Sequence, residues 1–244
     1  NAGDINITTG LFSLTNGSYL YSDTDGQGNA GSVNINARDR VSIDGEYSAE
    51  IISGGRSIGT IYNTSSISTQ VFSRTVGQGG DVTITTGSLF LTNGGAVNTS
   101  TAGQGNAGRV TINARDSVQI SGTAPTRTDY PSQVFTSVKP GAVGSAGNID
   151  ITARSLSLLN GAQLAASTSG EGRAGNIRIS ADTVGLSSGG QLLTTTSSSN
   201  RAGDITVNTP ELQLSGATSG LFTGTTSAGD AGNLTIQPRG NGQS

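Results

Sequence analysis

The sequence predicts an all-β fold, a right-handed parallel β-helix of about seven three-stranded coils of roughly 28 residues each. Two observations fix the coil. First, the pattern Ala-Gly-x-apolar-x-apolar, read at Ala2-Gly3-Asp4-Ile5-Asn6-Ile7 and Ala30-Gly31-Ser32-Val33-Asn34-Ile35, keeps returning, with later copies at Gly80, Gly108, Gly147, Gly175, Gly203 and Gly232. The steps between these glycines are 28, 49, 28, 39, 28, 28 and 29 residues, and a fixed period of this size is the mark of a repeat architecture. Second, two further apolar rows lie between successive copies, in phase with the repeat. Strict alternation over four to six residues signals a strand with one buried face. Stacking of like on like explains why each row keeps its own pattern from coil to coil.

The first strand of each coil carries Ile5/Ile7, Val33/Ile35, Val82/Ile84, Val110/Ile112, Ile149/Ile151, Ile177/Ile179, Ile205/Val207 and Leu234/Ile236. Every position is aliphatic, and β-branched side chains suit a pleated surface. The residues between them, such as Asn6, Thr83, Asp150 and Arg178, are polar and face water. A corner follows, marked in the first coil by Thr9-Gly10.

The second strand carries Phe12/Leu14, Val41/Ile43, Leu89/Leu91, Val118/Ile120, Leu156/Leu158, Val184/Leu186 and Leu212/Leu214. Corners such as Asn16-Gly17 end it, because Asn and Gly accept positive φ at little cost. The third strand is thinner and reads Leu20, Val71, Val97, Val134, Leu164, Leu192 and Leu221. A tight antiparallel hairpin at Asn16-Gly17 is the competing local reading, but it leaves the long period unexplained. Parallel crossovers are overwhelmingly right-handed, which sets the expected hand. One coil cannot bury enough apolar surface to order itself, so stability is shared between neighbours.

Coils two and four are longer than the rest. Their inserts are expected at 44–70 and 121–133, at one shared corner after the second strand, and so on one side of the coil stack. A two-coil super-repeat accompanies them. Coils one and three have Thr-Thr-Gly at the first corner (residues 8–10 and 85–87), whereas coils two and four have Asn-Ala-Arg-Asp (36–39 and 113–116). Residues 1–244 read as a single β-helix fragment of a longer array.

Composition narrows the chemistry. Net charge is −3, with one lysine, Lys139, and no basic block to neutralise a phosphate backbone, so nucleic acid is not an expected partner. No apolar run approaches the roughly 20 residues of a membrane-spanning helix, and direct membrane insertion is not expected. The chain has no Cys, His, Met or Trp, which removes thiolate chemistry and the commonest general base. No catalytic, cofactor-binding or metal-binding residue is assigned, and the protein is expected not to be an enzyme.

Other signals have plain readings. Gly-rich corners such as Gly103-Gln104-Gly105 precede strands and lack the lysine of a phosphate loop. Asp39 and Asp116 each follow an arginine and stand two coils apart, too dispersed for paired-carboxylate catalysis on a glycan. Thr99-Ser100-Thr101 and Thr194-Thr195-Thr196 suggest a hydroxyl array, but the matching coils interrupt it with Ala165-Ala166-Ser167. The inserts hold aromatic and basic residues, and loops carry function more often than scaffolds do. The candidate interaction surface is therefore Tyr47, Tyr62, Arg127 and Tyr130.

Units such as Gly105-Asn106-Ala107-Gly108-Arg109-Val110-Thr111-Ile112-Asn113-Ala114 and Ser155-Leu156-Ser157-Leu158-Leu159-Asn160-Gly161-Ala162 resemble the repeats of filamentous-haemagglutinin-type exoproteins, most of all the very large cyanobacterial members. The resemblance spans the chain outside the inserts. It implies a right-handed β-helix shaft, export by two-partner secretion, and a location outside the cell or on its outer surface. It carries no catalytic residues. The function expected is a structural and adhesive shaft of a filamentous protein, serving surface attachment or extracellular filament formation, with a glycan-binding or polysaccharide-processing module as the alternative. Expected partners are further copies of the chain, end to end or side by side, or cell-surface glycans.

Overall fold

The structure, a computed structural model, describes residues 1–239; residues 240–244 of the unit expected over 1–244 lie outside the described residues. Among the described residues there is no helix. Coil one holds β1 (Ile5–Thr15) and β2 (Tyr19–Tyr21). Coil two holds β3 (Val33–Asp44), β4 (Glu46–Ser53), β5 (Arg56–Thr64) and β6 (Ser66–Ser68). Coils three and four hold β7 (Val82–Thr92), β8 (Ala96–Thr101), β9 (Val110–Ser121) and β10 (Gln133–Val138). Coils five and six hold β11 (Ile149–Thr152), β12 (Ser155–Leu159), β13 (Gln163–Thr168), β14 (Ile177–Ser180), β15 (Thr183–Ser187) and β16 (Gln191–Thr196). Coil seven holds β17 (Ile205–Asn208), β18 (Glu211–Ser215) and β19 (Gly220–Thr225), and β20 (Leu234–Gln237) follows.

These strands build a parallel β-helix. An 11-stranded parallel sheet runs β1-β3-β7-β9-β11-β14-β17-β20, with β12, β15 and β18 continuing its second row from β9. A 7-stranded parallel sheet runs β2-β6-β8-β10-β13-β16-β19. Pairing is residue for residue as the columns require: Ile5 meets Val33, Val33 meets Val82, and Val82 meets Val110. The first two rows are sealed from Val33 to Val207, with Ile43, Ile84, Leu91, Ile112, Ile120 and Ile149 among the fully buried side chains. The competing hairpin at Asn16-Gly17 is absent, since β1 and β2 each pair in parallel with the next coil.

The first corner differs from expectation in coils one to four. There the first two strands run on as one strand of 11 or 12 residues, bent rather than broken. The bend is a bulge: the ladder passes from Thr9↔Ala37 to Leu11↔Arg40, so Arg38-Asp39 face the single Gly10. Arg115-Asp116 likewise face Gly87. The two glycines differ in how tightly they are met. The Arg38 guanidinium lies 3.6 Å from where a Gly10 side chain would begin, and that of Arg115 lies 2.8 Å from the same point on Gly87. At Gly87 a side chain would also meet the Asp39 carbonyl oxygen of the coil before, at 2.5 Å, whereas Gly10 has room for ordinary contact.

The recurrent glycine of the Ala-Gly corner also answers to space. Its φ is not in the left-handed region at any of the eight copies. A Cβ at Gly31, Gly80, Gly108, Gly147, Gly175, Gly203 or Gly232 would overlap the carbonyl oxygen of the corresponding glycine one coil earlier. Backbones therefore stack here more closely than any side chain permits. By contrast, the Asn-Gly corner after the second strand is conformational: Asn16, Asn93 and Asn160 have φ of 54, 51 and 54°, followed by Gly17, Gly94 and Gly161 at 76, 89 and 82°.

The third strand is thin because its inward face is partly polar. Two residues after each apolar anchor stands a hydroxyl: Thr99, Thr136, Thr194 and Thr223 donate to the carbonyls of Gly108, Gly147, Gly203 and Gly232 at 2.6, 2.5, 2.6 and 2.9 Å. Thr69 donates to Gly80 in the same way. Each bond ties the end of a coil to the glycine row that starts the next. Thr99, Thr101, Thr194 and Thr196 are all buried, so the outer members of the threonine tracts point inward, and only the middle residues, such as Thr195, share the outward face with Ser167.

One column member is corrected. In coil two the third-strand residue is Ile67, which pairs with Leu20 and Val97. Val71 instead sits one corner later, bridging Thr24 and Thr101. The excursion expected at 44–70 is accordingly shorter. It is the antiparallel hairpin β4–β5, which leaves the coil after Gly45 and returns at Ser65.

Candidate interaction surface

Both inserts leave the stack at the corner between the second and third strands, one from coil two and one from coil four. A serine closes each return. The Ser65 hydroxyl donates to the Asp44 carbonyl at 2.6 Å and accepts the Gly17 N–H at 3.0 Å. Ser132 does the same with Ser121, at 2.7 Å, and Gly94, at 2.9 Å. The second insert is a compact loop: Thr123 bridges Pro131, and Ala124 exchanges backbone bonds with Tyr130 and Arg127. Ala124 lies against Gly94 of coil three, where a Cβ would meet the alanine Cβ at 2.8 Å. The uninserted coil between them thus gives way to the loop.

Three of the four candidate residues come together. The Arg127 guanidinium lies over the Tyr130 ring at 3.7 Å and over the Tyr62 ring at 5.0 Å from their centroids. Thr126 adds a bond from its hydroxyl to the Glu46 carboxylate at the base of the hairpin. The inserts are therefore clasped to each other across coil three. Cross-strand pairing explains who takes part: Glu46 pairs with Thr64 and Ser48 with Tyr62, which puts Glu46 and Tyr62 on one face of the hairpin. Tyr47 pairs with Asn63 on the opposite face. It packs over the Gly17 corner instead, and it is not brought to the other three.

The clasp is not fully satisfied. Glu46 Oε2 and Arg127 Nε are buried without a hydrogen-bond partner. Each such atom costs about 1–3 kcal/mol, which weakens the clasp. Beyond it the hairpin projects Ile51, Ile52, Ile58 and Ile61, which are 40, 57, 65 and 48% exposed. These side chains form an exposed apolar patch on the hairpin.

Below the inserts a groove of about 590 Å³ crosses the outer face of the 7-stranded sheet, lined among others by Asn98, Tyr130, Gln133, Phe135, Lys139 and Gln163. A second groove, of about 610 Å³, follows the bend of the 11-stranded sheet past Asn36, Arg38, Thr85, Asn113 and Arg115. The sequence did not single out the first groove. Its signal was the alternation of Gln133, Phe135 and Ser137 on the outward face of one strand.

The carboxylates at the first corner are committed to arginine. Arg38 binds Asp39 through two bonds of 3.0 and 2.9 Å, and this hydrogen bonding holds the Asp39 carboxyl below its ordinary range. Arg115 binds Asp116 at 2.8 Å. Asp23 behaves oppositely. Burial pushes its pKa up, although the Gln70 N–H at 2.6 Å and the Ser68 hydroxyl at 2.9 Å bind its carboxylate and pull the other way.

Among the described residues no group of three or more Asp, Glu, His or Cys side chains is placed to hold a metal ion. Comparison of the chain with protein-family models, curated proteins and solved structures finds no match.

Proposed function

We propose that this chain is a non-catalytic structural and adhesive segment of a filamentous protein held outside the cell, of the filamentous-haemagglutinin type, in which the coils are the shaft and the two inserts are the contact surface. The observation that carries this reading is the clasp. Two insertions from different coils are joined into a single lateral projection with an apolar tip. A shaft alone would need neither insertion. The non-catalytic reading is supported by the first-corner carboxylates, each already bound to a neighbouring arginine and standing two coils apart.

The test uses beads coated with the whole chain and with a variant in which residues 46–64 are replaced by a short glycine corner like that of coil three. Attachment to cell surfaces or to chain-coated surfaces should fall at least fivefold for the variant while its melting curve stays that of a folded β-protein. Equal attachment by both would refute the projection as the contact surface.

A further inference from the structure

The groove beneath the inserts has a chemistry that the shaft does not use. Its floor is the outward face of the third strands, set in register. Gln133 lies between Ala96 and Gln163, and Phe135 between Asn98 and Ala165. Ser137 lies between Ser100 and Ser167. The backbone of β10 is engaged in ladders on both sides, so a ligand here meets side chains only. Amides and hydroxyls offer donors and acceptors together. Phe135 supplies a ring with small Ala165 beside it.

The Lys139 ammonium stands 5.3 Å from the centre of that ring. It makes no ion pair among the described residues. Asp129 is the other charged residue lining the groove. Partial desolvation lowers the pKa of Lys139, while the residue as a whole stays exposed and open to a ligand.

We propose that this groove binds an acidic polysaccharide, a chain of carboxylate-bearing sugars laid along the shaft, with a sugar ring over Phe135 and a carboxylate on Lys139. The proposal deepens the adhesive reading and rests on it for the place where such a ligand is met. Competing ligands fit less well. A nucleic acid needs several cations in a row, and the groove has one. An extended peptide relies on free backbone partners at a sheet edge, and this is a sheet face. The groove at the bend lacks an aromatic ring, and Arg38 and Arg115 there already hold Asp39 and Asp116.

The experiment is calorimetric titration of the whole chain, in low salt, with a short oligogalacturonate and with its fully methyl-esterified, uncharged counterpart. The acid form should bind about tenfold more tightly than the ester, as loss of one charge-assisted hydrogen bond implies. Lys139→Gln should remove that difference, and Phe135→Ala should weaken both forms. Both residues point outward, and thermal melts check folding. Should Phe135→Ala fail to fold, Lys139→Gln with the acid and ester pair decides alone. Equal binding of acid and ester, unaltered preference in Lys139→Gln, or no binding of either form would overturn the proposal. Undiminished attachment by the hairpin-deleted chain would defeat the projection reading without touching the groove. Absence of oligosaccharide binding would defeat the groove without touching the projection.

Discussion

Replacing Gly108 by alanine is the sharpest perturbation of this fold, because it adds one carbon where two coils touch. The new Cβ would overlap the Gly80 carbonyl, with the Asp81 nitrogen only 3.1 Å away. These are backbone atoms and cannot swing aside. Overpacking in a filled interior costs about 1–3 kcal/mol. The coils must also part locally, which strains the Thr99 hydroxyl bond to Gly108 at 2.6 Å and the Val82 N–H bond to Arg109 at 2.9 Å. Each is worth about 1 kcal/mol. A loss of about 3–5 kcal/mol follows, or a fall of about 10 °C in Tm for a chain of this size. Gly3→Ala is the internal control: it occupies the same place in the motif, yet nothing lies within 4 Å of its Cβ. It should stay within about 0.5 kcal/mol of the parent. Thermal melts followed by circular dichroism compare the two. If Gly108→Ala and Gly3→Ala melt alike, close stacking is not why the motif carries glycine.

Four further outcomes are expected. Thr136→Val keeps the shape but leaves the Gly147 carbonyl without its hydroxyl donor, and urea unfolding should show a loss of about 1–2 kcal/mol. Ile112→Asp places an unpaired charge in the first row, where Ile112 is fully buried, and should cost several kcal/mol; a parent-like melt would refute the column. Arg127→Ala should open the clasp, raising amide exchange in residues 46–64 severalfold while leaving exchange in β9 and β11 unchanged. Asp23 has a folded-state pKa above its ordinary value of 3.8 through burial, so the folded chain holds that proton more tightly than the unfolded one. Its contribution to stability is therefore fully present below pH 3.8 and is lost as pH rises through the folded value. Asp23→Asn keeps an acceptor oxygen for Gln70 and Ser68 and should flatten that part of the urea-midpoint profile.

The period made the coil legible, because stacking like on like writes itself into spacing. What stayed hidden lies where spacing says nothing. Gln70-Val71-Phe72 looks like Gln133-Val134-Phe135, and that local likeness draws Val71 into the third-strand column. Ile67 is the true member, and it stands 13 residues before Gly80 as Val134 stands 13 before Gly147. The count to the following glycine was the better guide. The contact of Arg127 with Tyr62 joins residues far apart in sequence through two aperiodic inserts, and no pattern marks it. Alternation shows which threonines of a tract share a face but not which face is inward. That was decided by the glycine carbonyls waiting inside.

The alternation at the bend also governs how such an array can lengthen. Along coils one to four, an arginine-bearing turn rests on a glycine-bearing one. The next step breaks that alternation: Arg115-Asp116 of coil four is met by Arg154 of coil five, whose guanidinium lies 3.9 Å from the Asp116 carboxylate. A bulged turn is thus followed by a glycine corner in one place and by a second arginine, bridged through aspartate, in the other. Coils five to seven carry no such bulge in their pairing, and they can be added or removed one at a time. An engineer grafting turns between such proteins has to match the bend of the receiving turn as well as the period.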